Sequence, residues 1–177
     1  MTKQEKFKLS KRIQVLILAG IIIISMIGFS TWSKASKNNV DAALSGIETE
    51  QVLPEIVVYK SATCTCCHKW VTHLENAGFT VQAHNREDMN SVKSSLGVIP
   101  GLASCHTALV DGYLIEGHVP ASDIKRLLAE KPKNIVGLTA LGMPRFSPGM
   151  QAEGLAPKGY DVLTFDENGN THVFSQY

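Results

Sequence analysis

Cys64-Thr65-Cys66-Cys67-His68 lies between an apolar run, Ile56-Val57-Val58-Tyr59, and a segment with apolar residues at helical spacing, Trp70, Val71, Leu74 and Ala77. The run reads as a short buried strand, and the segment as an amphipathic helix that Gly78 ends. The three cysteines thus fall on a strand-to-helix turn, at a helix N-terminus. Unpaired backbone N–H groups and the positive end of the helix dipole favour thiolate over thiol there. Thiolate is the form that attacks disulfides and binds soft metals. Cys64 and Cys67 form a C-x-x-C pair, while Cys66 adds a C-x-C and a vicinal pair. Two cysteines suffice for redox exchange, so the third asks for another explanation.

Toward the C-terminus, Thr80 to Ala83 reads as a second strand. Asn85 to Leu96 comes next as a second helix, with Asn85 as N-cap and the acidic Glu87 and Asp88 in its first turn. Gly97 ends it, and a third strand is expected over Ala103 to Val110. Asp111-Gly112 is a two-residue hairpin signal that returns the chain through Tyr113-Leu114-Ile115 as a fourth strand. A third helix is expected over Ser122 to Glu130, with Ile124, Leu127 and Leu128 on one face and Pro132 past its end. The order β-α-β-α-β-β-α, with a C-x-x-C after the first strand, is that of an α/β thioredoxin-like domain. Gly137 to Gly159, rich in Gly and Pro, reads as an irregular loop, uncommon at that length unless functional or ordered by something. Asp161 to Phe165 and Thr171 to Phe174 alternate around Asn168-Gly169 as a closing β-hairpin. The working domain therefore covers residues 54–177, a thioredoxin-like core with a C-terminal loop and hairpin extension.

Toward the N-terminus, the basic residues of 1–12 precede an almost uncharged run, 13–32, rich in Ile and Leu. About 20 such residues span a bilayer as a hydrophobic helix. Basic residues on its N-terminal side place the remainder of the chain on the non-cytoplasmic side. Ser33-Lys34-Ala35 resembles a signal-peptide cleavage site, whereas the run exceeds the usual ~7–15-residue signal core and favours a retained anchor. Residues 33–53 read as a tether.

The chain of 177 residues has a near-neutral total charge of +1 that hides an asymmetry. Seven of its 17 Lys and Arg, and one of its 16 Asp and Glu, lie in the first 37 residues, so the remainder carries −5. A domain that acidic is a poor nucleic-acid binder, because such binding rests on basic patches against phosphates. All four cysteines and all six histidines lie in the acidic part, which points to metal or redox chemistry there. In an exported chain an even cysteine count is commonly a structural disulfide set, here with three possible pairings. The clustering speaks against that, since so short a loop removes little chain entropy.

Three blocks carry a resemblance. The first is Tyr59-Lys60-Ser61-Ala62-Thr63-Cys64-Thr65-Cys66-Cys67-His68-Lys69-Trp70. The second is Ser104-Cys105-His106-Thr107-Ala108-Leu109-Val110 with Gly112-Tyr113 and Ile115-Glu116-Gly117-His118-Val119-Pro120-Ala121. The third is Gly142-Met143-Pro144 with Ser147-Pro148-Gly149-Met150. Together they resemble the CopG-type, thioredoxin-like copper-resistance proteins of Gram-negative bacteria, over about residues 54–177. The resemblance implies a periplasmic copper-binding role with the clustered cysteines as ligands. It implies a location on the periplasmic side of the inner membrane, or free in the periplasm after cleavage near Ala35. Thr65 departs from the family, which more often has Gly there; no ligand is lost by it.

Laid on a thioredoxin-like template, Ser104-Cys105-His106-Thr107 takes the place usually held by a cis-proline loop and faces Cys64, Cys66 and Cys67. The expected metal set is therefore Cys64, Cys66, Cys67 and Cys105. Secondary candidates are His106, His68, His118 as a partner behind the ligands, and the thioethers Met143 and Met150, whose alternative is gap-filling. His73 is too far along the helix to share an ion, about 10 Å at 1.5 Å per residue. Soft thiolates select Cu(I), zinc or iron–sulfur units; export and the resemblance favour Cu(I), with zinc second. The expected function is an exported copper-binding protein of metal resistance, coupled to thiol redox, with other copper-handling or redox proteins as partners. The alternative is a periplasmic thiol–disulfide oxidoreductase with Cys64 as nucleophile and Cys67 as resolving thiol. A structural zinc site is a third reading.

Overall fold

The computed structural model describes residues 52–177. The hydrophobic segment at 13–32, the basic 1–12 and all but the end of the tether lie outside them. Among the described residues no helix is long and apolar enough to cross a membrane.

The first strand, β1 (Ile56–Lys60), alternates fully buried and half-buried residues. It pairs in parallel with β2 (Val81–Asn85) and antiparallel with β3 (Thr107–Val110). Between β1 and β2 runs α1 (Thr65–Asn76), whose buried residues Cys67, Trp70, Val71 and Leu74 keep helical spacing. Gly78 ends that turn at φ +91, a left-handed position where a Cβ is penalised. After β2 come α2 (Met89–Ser95) and a single 3-10 turn, Pro100–Leu102. Strand β3 turns into β4 (Tyr113–Glu116) through Asp111 at φ 46 and Gly112 at φ 86, both left-handed as a type I′ hairpin turn demands. Helix α3 (Ala121–Glu130) then crosses to β5 (Gly137–Thr139), which lies parallel to β4, and β6 (Asp161–Phe165) and β7 (Thr171–Gln176) close the sheet. The seven strands stand in the order β2-β1-β3-β4-β5-β6-β7. The expected β-α-β-α-β-β-α order and closing hairpin are present in this mixed α/β chain.

The core divides by strand alternation, because neighbouring side chains on a strand point to opposite faces. Ile56, Val58, Ala108, Val110, Ile115 and Leu138 pack with Trp70 and Leu74 of α1 and Ile124 and Leu127 of α3. The opposite face carries a smaller cluster of Val98, Leu102, Leu114 and Phe165.

Several expected boundaries differ, and one strand is unexpected. Helix α2 begins at Met89, not near Asn85, and its N-cap is Asp88, whose carboxylate takes the Ser91 N–H at 3.0 Å. Asn85 instead ends β2, pairs with Lys60, and accepts the buried Lys60 ammonium at 3.0 Å. Tertiary pairing overrode the local cap signal there. Strand β3 begins at Thr107 rather than Ala103, because the Ser104 N–H is drawn to the Glu116 carboxylate at 2.9 Å. The expected loop from Gly137 contains β5, whose first residue must be glycine. A Cβ on Gly137 would overlap the backbone carbonyl of Leu114.

Candidate metal centre

Cys64 is the N-cap of α1, and its sulfur accepts the Cys67 N–H at 3.3 Å. It is joined to Cys67 by a disulfide with Cα atoms 5.3 Å apart, while Cys66 and Cys105 are free. The Cys66 Sγ lies 3.5 Å from the Cys64 Sγ. The sulfurs of Cys64, Cys66, Cys67 and Cys105 all lie within 4.8 Å of one another, a spacing a shared ion can span. The sequence candidates for a four-sulfur set are therefore gathered at one point. Position on the helix explains three of them, and the turn before β3 supplies the fourth.

A second group shares the last sulfur. Cys105, His106 and His118 also offer ligand atoms within 4.8 Å of one another. The Cys105 Sγ stands 3.2 Å from His106 Nδ1 and 3.2 Å from His118 Nε2. His118 is fully buried, and its Nδ1 stands 2.7 Å from the carbonyl oxygen of Pro148. A carbonyl only accepts, so Nδ1 carries the proton and the Nε2 lone pair faces the sulfur. That is the arrangement by which proteins orient a metal-binding imidazole. His106, also fully buried, rests its ring against Trp70 with centroids 4.3 Å apart and meets His118 edge-on at 5.0 Å. Its Nε2 is buried with no hydrogen-bond partner among the described residues, and such orphaned polar atoms in an interior call for an explanation.

Burial sets the charge state of this group. It holds His106 well below the ordinary imidazole range, with the neighbouring His118 and the Lys93 ammonium adding to the effect. Burial lowers His118 as well. Burial first, and then the charge on Cys66, pushes the Cys105 thiol up to about 11. Without metal the group is thus two neutral imidazoles around a protonated thiol, and an ion there replaces one proton.

The Gly/Pro-rich segment covers the site. Gly149, at φ +83, sits so close to α1 that a Cβ would stand 2.7 Å from the Cys66 carbonyl oxygen and 2.8 Å from the Trp70 nitrogen. Ser104 donates its hydroxyl to the Gly142 carbonyl, and the two residues form a parallel bridge. Met150 is half-buried beside Gly149, whereas Met143 is 60% exposed and fills no gap.

His68 is exposed on α1 and belongs to neither group. Any metal that the two groups hold is expected to bind the His68→Ala variant within about twofold of wild type, in line with the small effect of most surface changes; anaerobic titration against a chelator measures this, and a larger loss would give His68 a part in the site. His73 is turned to Glu153 at 3.2 Å and to the Ala121 N–H at 3.2 Å, away from both groups. Trp70, read from sequence as core, also forms a wall of the site, with its indole N–H donated to the Val119 carbonyl at 2.8 Å. Periodicity marks Trp70 as buried but carries no hint of the ring it faces. His118 is expected from sequence only behind the ligands, and its atoms stand beside Cys105 itself.

Comparison with known proteins adds a name to the surroundings. A family described as "Protein of unknown function, DUF411" matches residues 102–150, the stretch that holds Cys105, both buried histidines and the covering loop. Two solved structures, "Copper resistance protein copG- Form 1" and "Form 2", are each 42% identical to this chain. Each alignment covers 71% of this chain and 98% of the other, with a TM-score of 0.64. No curated protein matches.

Proposed function

Given that this chain belongs to the CopG-type copper-resistance family, we propose that it binds Cu(I) through Cys64, Cys66, Cys67 and Cys105 once the Cys64–Cys67 disulfide is reduced. Cys105 bridges that set to His106 and His118. The observation that carries the reading is the orientation of His118, whose Nδ1–H is held by the Pro148 carbonyl so that Nε2 faces the Cys105 sulfur. Thiolates and imidazole together suit Cu(I) and zinc, and the family favours copper. Opening the disulfide takes two electrons and two protons, supplied by a dithiol donor through exchange. Copper capacity is then tied to thiol redox state, because closure removes two of the four sulfurs.

Titration of the reduced chain with Cu(I), without oxygen and against a competing chelator, tests the proposal. Tight binding of one or more ions is expected; absence of binding sinks it. Stronger competition by zinc, with loss of fold on chelation, would favour a structural zinc site instead. With the disulfide left closed, an ion at Cys105, His106 and His118 displaces the Cys105 proton and none from the neutral rings. Affinity there is expected to rise about tenfold per pH unit between pH 7 and 9, since each ion exchanges for one proton. A flat profile in the same titration would remove Cys105 from that group.

A second reading has one observation in its favour: the disulfide joins the C-x-x-C pair at the start of a helix, where exchange-active pairs sit. It predicts insulin reduction that needs only Cys64 and Cys67 and is indifferent to Cys66→Ser. The copper reading predicts the reverse sensitivity.

We further propose a thioredoxin-like domain acting on the periplasmic side of the inner membrane, with other copper-handling or redox proteins as partners. The support is the basic-then-apolar N-terminus over 1–32. A reporter fused after Tyr177 that is active only outside the cytoplasm is expected to be active, and fractionation should place it in membranes if the segment is retained.

A further inference from the structure

Lys93 on α2 and Glu116 on β4 form an ion pair at 2.8 Å, and Glu116 is fully buried. A buried ion pair is a poor source of stability, because desolvating both charges offsets most of their attraction. Such a pair is retained where it does something that an apolar pair cannot.

Its partners indicate what that is. The same Glu116 oxygen that meets Lys93 accepts the Ser104 N–H at 2.9 Å, and Ser104 immediately precedes Cys105. The other carboxylate oxygen accepts the Thr107 hydroxyl, and Thr107 is the residue directly after His106. Thr107 in turn accepts Lys93 Nζ at 2.7 Å. Glu116 itself is separated from His118 only by Gly117, whose N–H is donated to the His106 carbonyl at 3.2 Å. Gly117 has no room for a Cβ, which would collide with the Ser104 side chain. One carboxylate therefore ties together the two segments that carry the group, Ser104 to Thr107 with Cys105 and His106, and its own with His118. Lys93, itself buried, joins the same network through both Glu116 and Thr107.

We infer that Glu116, with Lys93 as its counterion, is a positioning residue for the Cys105–His106–His118 group: it fixes the spacing that lets both imidazoles share an ion with the sulfur. This role rests on the copper reading of the same site. It assigns Glu116 no contact with metal.

The test uses the full chain as wild type, Glu116→Gln, and the double variant Lys93→Met with Glu116→Leu. Three quantities are read: the apo Tm, hydrogen exchange of the Ser104 amide in the apo form, and imidazole scattering in the X-ray absorption of the Cu(I)-loaded form. The double variant replaces the ionic pair by an apolar one but leaves the Ser104 N–H and the Thr107 hydroxyl without their acceptor, so it is expected to fold with Tm lower by roughly 10 °C. Its Ser104 amide should exchange at least tenfold faster. Its imidazole scattering should be lost, with affinity at that group down about 10–100-fold, as for other groups that orient ligands from behind. Glu116→Gln, which keeps the shape without the charge, should lie between. A folded double variant with wild-type imidazole scattering and affinity overturns the inference. If the double variant does not fold, unchanged scattering in Glu116→Gln overturns it equally. A wild type that binds Cu(I) without imidazole overturns both this role and the two-group site; imidazole retained in every variant overturns this role alone.

Discussion

Cys105→Ser is expected to lose copper more severely than any other single substitution in the chain. The Cys105 sulfur is the one atom that belongs to both ligand groups, so its loss leaves three sulfurs on one side and two imidazoles on the other with nothing between them. Serine offers a hard, neutral oxygen in place of a soft thiolate and does not substitute for it toward Cu(I). Groups that merely orient ligands cost about 10–100-fold when removed, so the shared ligand itself should cost at least about a hundredfold in competition affinity. Capacity should fall as well, and the imidazole signal should vanish from the X-ray absorption of whatever copper remains. Cys105 is only half-buried and outside both core clusters, so stability should change by no more than about 1 kcal/mol. Cys66→Ser, by contrast, removes a sulfur from one group only and should spare the imidazole signal. Equal losses from the two variants would mean that Cys105 is not the bridge.

Gly149→Ala is expected to combine a large loss of stability with partial loss of metal. The added Cβ meets two backbone atoms of α1, the Cys66 carbonyl oxygen and the Trp70 nitrogen, neither of which can swing aside as a side-chain tip would. The backbone at φ +83 adds strain for any residue with a Cβ. Together these should cost on the order of 3 kcal/mol, or roughly 10 °C in Tm for a domain of this size. The neighbouring Pro148 carbonyl holds the His118 ring, so displacing this loop should free that ring to take the wrong tautomer. Thermal unfolding measures the first effect. The His118 ring resonances in NMR measure the second, and a folded variant with His118 unchanged would separate the loop from the site.

Much of this architecture is legible in the residues, and the places where it is not share a cause. Asp111-Gly112 announces its hairpin because only those residue types accept two successive left-handed conformations. The cysteine spacing places three sulfurs at a helix start, and the helix is there. Strand β5 escapes because it is three residues long and begins with a glycine that faces a neighbouring backbone. Its identity depends on β4, which lies more than 20 residues back. Asn85 looks like a cap by local chemistry, but strand pairing claims it. Lys93 and Glu116 look like solvated charges, since nothing in their own neighbourhoods signals that both end in the interior. His118 is a candidate from sequence, but only behind the ligands: thirteen residues from Cys105, it meets that sulfur because the β3–β4 register brings the two together. Signals carried by backbone conformation and spacing are readable, while those created by long-range packing are not.

The β3–β4 hairpin holds one sulfur and both buried imidazoles within residues 105–118, whereas the other three sulfurs come from a turn some 40 residues earlier. The two halves can therefore be inherited on different schedules. A descendant that lost the cysteine turn would still own a small nitrogen-rich half-site, and a lineage could refit the turn for other cargo without rebuilding the hairpin.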